Sequence, residues 1–301
     1  MSSMTDSDDI DDFLDGNLDL YEIVDQTLLD RSKLDTDIPD DDLHEKSRKI
    51  LSEGPPDSKE EQIGFVLSTL KKQAREDPQG FIEELFDSKK RDLAKRLHPY
   101  ESYEIDAFKP IFRNIREFSD TDLDTIGEWL NDFHDTDNGR AYSQQYHQVV
   151  EERLGRDRKM TVTDIDSLNE AVDLYSDLMN ICDAGYAIPV ALHRVVSGDD
   201  PREKNLTSMG LSKGLQELEG TDFAAIPNHV DIGLRHGIKH GDMLIDPRKE
   251  ELRIEDGGKK FSLIDLGTTV NDALLTVDVI EATKTYISMV DYRRNFEFLN
   301  Q

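Results

Sequence analysis

From Asp164 to Tyr186 the side chains Ile165, Leu168, Val172, Tyr175, Met179, Cys182 and Tyr186 return in steps of three and four without a miss. A helix turns once in about 3.6 residues, so this spacing lays one continuous apolar stripe along a long helix. Such a stripe must be covered by other elements, and the rest of the chain offers mainly helices. Helical spacing recurs at Ile63, Val66, Leu67 and Leu70, at Phe81, Ile82, Leu85 and Phe86, and at Leu93 and Leu97. Further helices are expected near 108–118, 122–133 and 140–154, with Ser119 or Thr121 as N-cap of the second. Pro189 ends or kinks the long helix, and Gly210 to Gly214 reads as a helix break.

Near the C-terminus Ser262 and Asp265 stand at the N-cap and N3 of a capping box, with Phe261 and Leu266 placed as a hydrophobic staple. The helix that follows should run to about Tyr292, burying Leu266, Val270, Leu274, Val277, Ile280, Ile287 and Val290. Just before it, Met243-Leu244-Ile245 and Leu252-Arg253-Ile254 flank Pro247 and read as a small β-hairpin. The expected fold class is therefore all-α, a helical bundle with a small β-hairpin insertion before the last helix.

Charge divides the chain further. Acids number 65 and bases 36, a net charge of -29, which opposes a role in coating nucleic acid or anionic membranes. Asp outnumbers Glu by 42 to 23, against helix propensity, which matches the hydrated acidic surfaces of halophilic proteins. Residues 1–60 alone hold 19 acids against 6 bases, with apolar clusters too sparse for a core. Residues 1–58 are thus expected to be an acidic, mostly disordered arm that could dock a protein partner, 59–158 a helical region, and 159–301 a second helical domain. The basic run Lys89-Lys90-Arg91 with Lys95-Arg96 should pair with the protein's own carboxylates. No stretch is long and apolar enough for a membrane span, and Met1 to Asp12 lacks the basic-then-apolar order of a signal peptide. A cytoplasmic protein is expected. The single cysteine, Cys182, falls on the apolar stripe as a buried, inert thiol.

One segment suggests chemistry: Arg235-His236-Gly237-Ile238-Lys239-His240, closed by Gly241-Asp242. An Arg and a His with four residues between them and a polar residue directly after the Arg, set between a helix and a hairpin-plus-helix, resembles the signature of the HEPN family. The resemblance covers roughly residues 160–295. His236 departs from it where the family often has Asn, and Met243 where it often has an aromatic residue. The resemblance implies a metal-independent endoribonuclease, in defence or stress, with a composite site across a homodimer and RNA as substrate. Cleavage of RNA through its own 2′-hydroxyl needs a proton shuttle and a cation over the developing phosphorane, and no cofactor. His240 suits the first, since a free imidazole titrates near pH 6.5, and Arg235 the second; His236 and Lys239 would help orient the phosphate. Residues five apart on a straight helix diverge by about 140°, so one copy does not readily aim both Arg235 and His240 at one phosphate.

Three other readings compete. Arg235 and His240 could serve only helix ends and carboxylates such as Asp231 and Asp242. His229, His236 and His240, spaced by seven and four along one face with Asp242 beyond, could hold a metal, although Gly237 stands where a zinc hydrolase would place its Glu. A non-catalytic helical adaptor, binding protein through the acidic arm, is the alternative of a different class.

Overall fold

The computed structural model describes Leu93, Arg96, Leu97 and residues 99–100, 102–154, 159–203, 205–255 and 258–299. The acidic arm, the helices expected between residues 60 and 92 and the run Lys89-Lys90-Arg91 lie outside the described residues. Residues 93–287 belong to one compact unit, and the described chain from Ser288 onward belongs to another. The boundary expected at residue 158 falls within the span of the first.

The described chain is mostly helical. In order come α1 (Ser102–Asp106), α2 (Lys109–Arg116), α3 (Asp120–Asp135), α4 (Asp137–Tyr146), α5 (Ile165–Gly185), α6 (Ala187–Val196), α7 (Leu211–Leu218), α8 (Ala225–Asn228) and α9 (Ile232–His240). Strands β1 (Met243–Asp246), β2 (Glu251–Ile254) and β3 (Lys260–Ser262) follow, and α10 (Leu263–Leu299) ends the description. No helix among the described residues is long and apolar enough to cross a membrane.

Local chemistry sets the helix starts. Ser119, not Thr121, caps α3: its Oγ accepts from the Asp122 N–H at 3.3 Å while Asp122 Oδ2 accepts from the Ser119 N–H at 2.9 Å. Asp164 and Ser167 exchange the same pair of bonds at the start of α5, at 2.8 and 3.0 Å. Ser262 and Asp265 form the expected box before α10, both bonds at 3.2 Å. Pro189 sits at the third position of α6, where its missing N–H costs nothing, so α5 closes at Gly185 and a new helix begins at Ala187.

Helix α5 packs against α4 and α9, and α6 against α3 and α7. The stripe from Leu168 to Cys182 is buried as expected, but Ala171, Leu174, Leu178 and Ile181 are buried too. Helix α5 is therefore covered on more than one side. In α10 every residue from Ala273 to Ile280 is buried, and this continuous run marks a helix enclosed by its neighbours.

Three details differ from the sequence expectation. The hairpin gains a third antiparallel strand, because Phe261 turns inward opposite Leu252 while Lys260 and Ser262 face out. Gly214 does not break a helix; it lies within α7 against the ring of Tyr186, where any Cβ would collide. The helix expected over 140–154 changes character after Tyr146, continuing as a π-helical segment from His147 to Leu154.

Inside this apolar shell lies a polar network. Asp278 is fully buried, and the hydroxyls of Tyr100 and Tyr146 donate to its two carboxyl oxygens at 2.7 and 2.8 Å. The Arg96 guanidinium donates to the Tyr146 oxygen and reaches Glu151 at 3.2 Å. One turn along α10, Lys284 lies 2.9 Å from Glu281. Burial works against the charge of Glu281, but Lys284 and Arg96 outweigh it and hold its carboxyl below the usual range. Asp278→Ala leaves two buried phenols without their acceptor and is expected to cost about 3 kcal/mol, read as a lower urea midpoint at unchanged slope.

Candidate functional site

Helix α9 carries the Arg235–His240 segment, and both of its ends are fixed by named contacts. At the start Asp231 is the N-cap, its Oδ1 accepting from the Leu234 N–H at 2.9 Å. The Tyr175 hydroxyl of α5 accepts from the Asp231 N–H at 2.9 Å and donates to the Asp231 carbonyl at 2.8 Å. Lys259 pairs with the remaining carboxylate oxygen. At the other end Gly241 adopts φ 70, a left-handed conformation suited to glycine. The Asp242 N–H then bonds the Gly237 carbonyl at 2.9 Å and the Gly241 N–H the Ile238 carbonyl at 3.2 Å, a Schellman stop. The Asp242 carbonyl accepts from the Glu255 N–H at 2.8 Å, tying this end to the chain just beyond β2.

Leu234 and Gly237 form the buried side of α9. A Cβ on Gly237 would stand 2.6 Å from Ile254 Cδ1, so glycine lets the helix lie directly on β2. The opposite side is open. His236, Lys239 and His240 are all exposed, and the rings of His236 and His240 lie 6.1 Å apart between centroids at 73°. Residues four apart diverge by only about 40° on a helix, which is why these two meet. Lys239 enters no ion pair among the described residues, which it shares with Arg113, Lys213, Arg248, Lys249 and Lys260.

Arg235 points elsewhere. Its Nη2 donates to Asp183 Oδ2 of α5 at 2.7 Å, and its side chain is only 13% exposed. Because α9 continues unbroken through His240, the divergence of Arg235 from His240 stands within one chain. The fold thus brings together His236, Lys239 and His240 and sets Arg235 apart. Asp231 is taken up by the cap and by Lys259, but Arg235 does serve a carboxylate, Asp183, as the competing structural reading expects of it.

The three-histidine alignment does not occur. His229 precedes the Asp231 cap and is not on α9; its Nδ1 lies 2.7 Å from the Ala225 carbonyl and its ring packs 4.9 Å from that of Phe108. Among the described residues no group of three or more His, Cys, Asp or Glu is placed to hold a metal ion. Cys182 is buried, and burial with the adjacent Asp183 pushes its thiol up to about 12, against the pull of Arg235. A thiol in that state is a packing group.

Two functional-looking carboxylates escaped the sequence reading. Asp278 had a usable signal, as the lone charge in the apolar run Ala273-Leu274-Leu275-Thr276-Val277-Asp278-Val279-Ile280. Asp183 had none, since only the tertiary fold carries it to Arg235. Compared with models of known families, with curated proteins and with solved structures, the chain matches none.

Gly237→Ala is expected to push α9 off β2 at a cost of about 1–3 kcal/mol, measured by urea unfolding. Arg235→Ala, which breaks a pair exposed on its acidic side, should cost about 1 kcal/mol or less by the same measurement.

Proposed function

We propose that the protein is a metal-independent endoribonuclease of the HEPN type. The observation that carries the reading is the exposed face of α9, where His236, Lys239 and His240 stand together and make no hydrogen bond or ion pair among the described residues. Two neighbouring imidazoles suffice for general acid–base cleavage of RNA. One takes the proton of the 2′-hydroxyl as its oxygen bonds phosphorus; the other, protonated, gives a proton to the departing 5′-oxygen as the P–O bond breaks. The products are a 2′,3′-cyclic phosphate and a free 5′-hydroxyl, and no atom is left over. The Lys239 ammonium lies on the same face, where it opposes the charge that gathers on the phosphorane oxygens.

Arg235 enters this reading as a positioning residue, holding α9 to α5 through Asp183. Pairing of two copies through this face would bring a second set of cations to the scissile phosphate, which is the homodimer the family resemblance implies. Residues 221–301 hold 14 acids and 10 bases, so this part of the chain repels a polyanion less than the remainder does.

Wild-type protein incubated with a mixed RNA pool and EDTA is expected to yield fragments ending in 2′,3′-cyclic phosphate. His236→Ala and His240→Ala should each lower the rate at least about a hundredfold with unchanged circular dichroism, the usual scale of a general acid or base. Arg235→Lys should retain most activity. Absence of cleavage by the wild type, in dilute and in concentrated KCl, would overturn the reading in favour of a helical adaptor.

A further inference from the structure

Beyond Tyr146 the backbone of α4 runs on as a π-helix from His147 to Leu154. Hydrogen bonds in that form join residues five apart, so the side chains at i+4 and i+5 flank the one at i; on an α-helix the fifth diverges by about 140°. His147 uses this arrangement. Its Nδ1 lies 2.8 Å from Glu151 Oε2 and its Nε2 lies 3.2 Å from Glu152 Oε1, one carboxylate on each ring nitrogen. An α-helical course would turn Glu152 away from the ring.

Two carboxylates on one imidazole fix its protonation. A neutral ring has one N–H and one lone pair, and the lone pair would face a carboxylate; only the imidazolium donates at both nitrogens. The pairs in turn favour the charged ring. The hydrogen bond with Glu151 is the largest cause and Glu152 adds to it, against the cost of desolvation, so the His147 pKa stands above the ordinary histidine value.

The surroundings make the two carboxylates unequal. Arg96 also reaches Glu151, at 3.2 Å, and its guanidinium lies over the Tyr146 ring, 5.1 Å from the centroid. Glu152 is 63% exposed and has His147 as its one partner among the described residues. Arg153, next in the chain, takes Asp177 of α5 at 2.7 Å, and Val150 is buried, so packing anchors the inner side of the segment whatever His147 does. No other charged group among the described residues pairs with the ring.

We infer that His147 is a pH-operated latch on the π-helical segment. Protonated, it ties the first residue of the segment to both Glu151 and Glu152; deprotonated, it keeps one donor and lets Glu152 go. Because the folded chain holds the proton more tightly than the unfolded one, the latch is fully closed below about pH 6.5 and opens as the pH rises through the higher value of the folded state. Glu151 stays with Arg96 in both states. The buried line from Arg96 through Tyr146 to Asp278 is therefore kept while the outer side of the segment loosens. The latch uses no residue of α9 and does not rest on the endoribonuclease reading.

The test is an NMR titration of the full chain from about pH 5 to about pH 9, following the His147 ring and the Cα shifts of residues 147–154. The ring is expected to titrate above the free-histidine value, with the shifts of Glu151 and Glu152 moving at the same midpoint. Glu152→Gln should lower that midpoint. Two further variants hold the latch in one state: His147→Arg keeps a permanent cation whose planar fork of donors suits two carboxylates, and His147→Gln carries no charge. The His147 side chain is 59% exposed, so neither change disturbs the core. Amide exchange over the segment, compared between proteins at one pH so that the intrinsic rate cancels, should be slower by about twofold in wild type and His147→Arg than in His147→Gln at about pH 5.5, the scale of an exposed ion pair. At about pH 8.5 the wild type should match His147→Gln, and His147→Arg alone should stay slow. A His147 midpoint at or below the free-histidine value, a midpoint unchanged by Glu152→Gln, or equal exchange in the Arg and Gln variants would overturn the inference.

Discussion

A carboxyl group sealed from water near the middle of α10, the longest helix among the described residues, is what the surrounding helices must answer to. Asp278 could be replaced at little cost by an apolar side chain if packing alone mattered, and such a side chain would tolerate small slips of α10 against its neighbours. Two phenols from distant segments that must both reach one carboxyl group tolerate far less. Tyr100 and Tyr146 meet Asp278 at one height and one rotation of α10. Arg96, which engages Tyr146, and the Glu281–Lys284 pair one turn on continue the same registration. The stripe of leucines and valines supplies the attraction, and the polar line supplies the alignment.

The acidic composition shows its consequences in the pairing of cations. Arg153 meets Asp177 at 2.7 Å, Arg194 meets Glu217 at 2.5 Å, Arg202 meets Asp200 and Glu128, and Arg253 meets Glu251. The exposed pairs among these, such as Arg202 with Glu128, add little stability each, whereas Arg194 is itself buried. Their cumulative effect is to commit most of the positive charge among the described residues to the chain's own carboxylates. Arg96, part of the basic run singled out from the sequence, behaves this way with Glu151. Lys239 is one of six described cations outside such pairs, and what sets it apart is the two imidazoles beside it on the exposed face of α9.

What could be read from the sequence follows the range of the interactions concerned. The stripe on α5 and the capping box at Ser262 depend on residues within a few positions of each other, so their spacing sufficed, while at the start of α3 it narrowed the cap to Ser119 or Thr121. The meeting of His236 and His240 is likewise a property of helical geometry. By contrast β3 forms only because Leu252 is there to receive Phe261, and Gly214 is needed only because Tyr186 arrives opposite it. The π-helical segment after Tyr146 leaves no mark in the apolar spacing. The partnership of Arg235 with Asp183 spans 52 residues, and no local spacing announces it.

The division of α9 into a held side and an open side bears on how this segment can change over time. Leu234, Gly237 and the ends at Asp231 and Gly241 are constrained by stability, and most replacements there unfold or displace the helix. His236, Lys239 and His240 contribute almost nothing to folding, so drift meets no resistance from the fold at those three positions. Among descendants of one ancestral sequence, the glycine and the cap would persist whether or not the protein remained useful for chemistry. The imidazoles would persist only where something other than folding retained them.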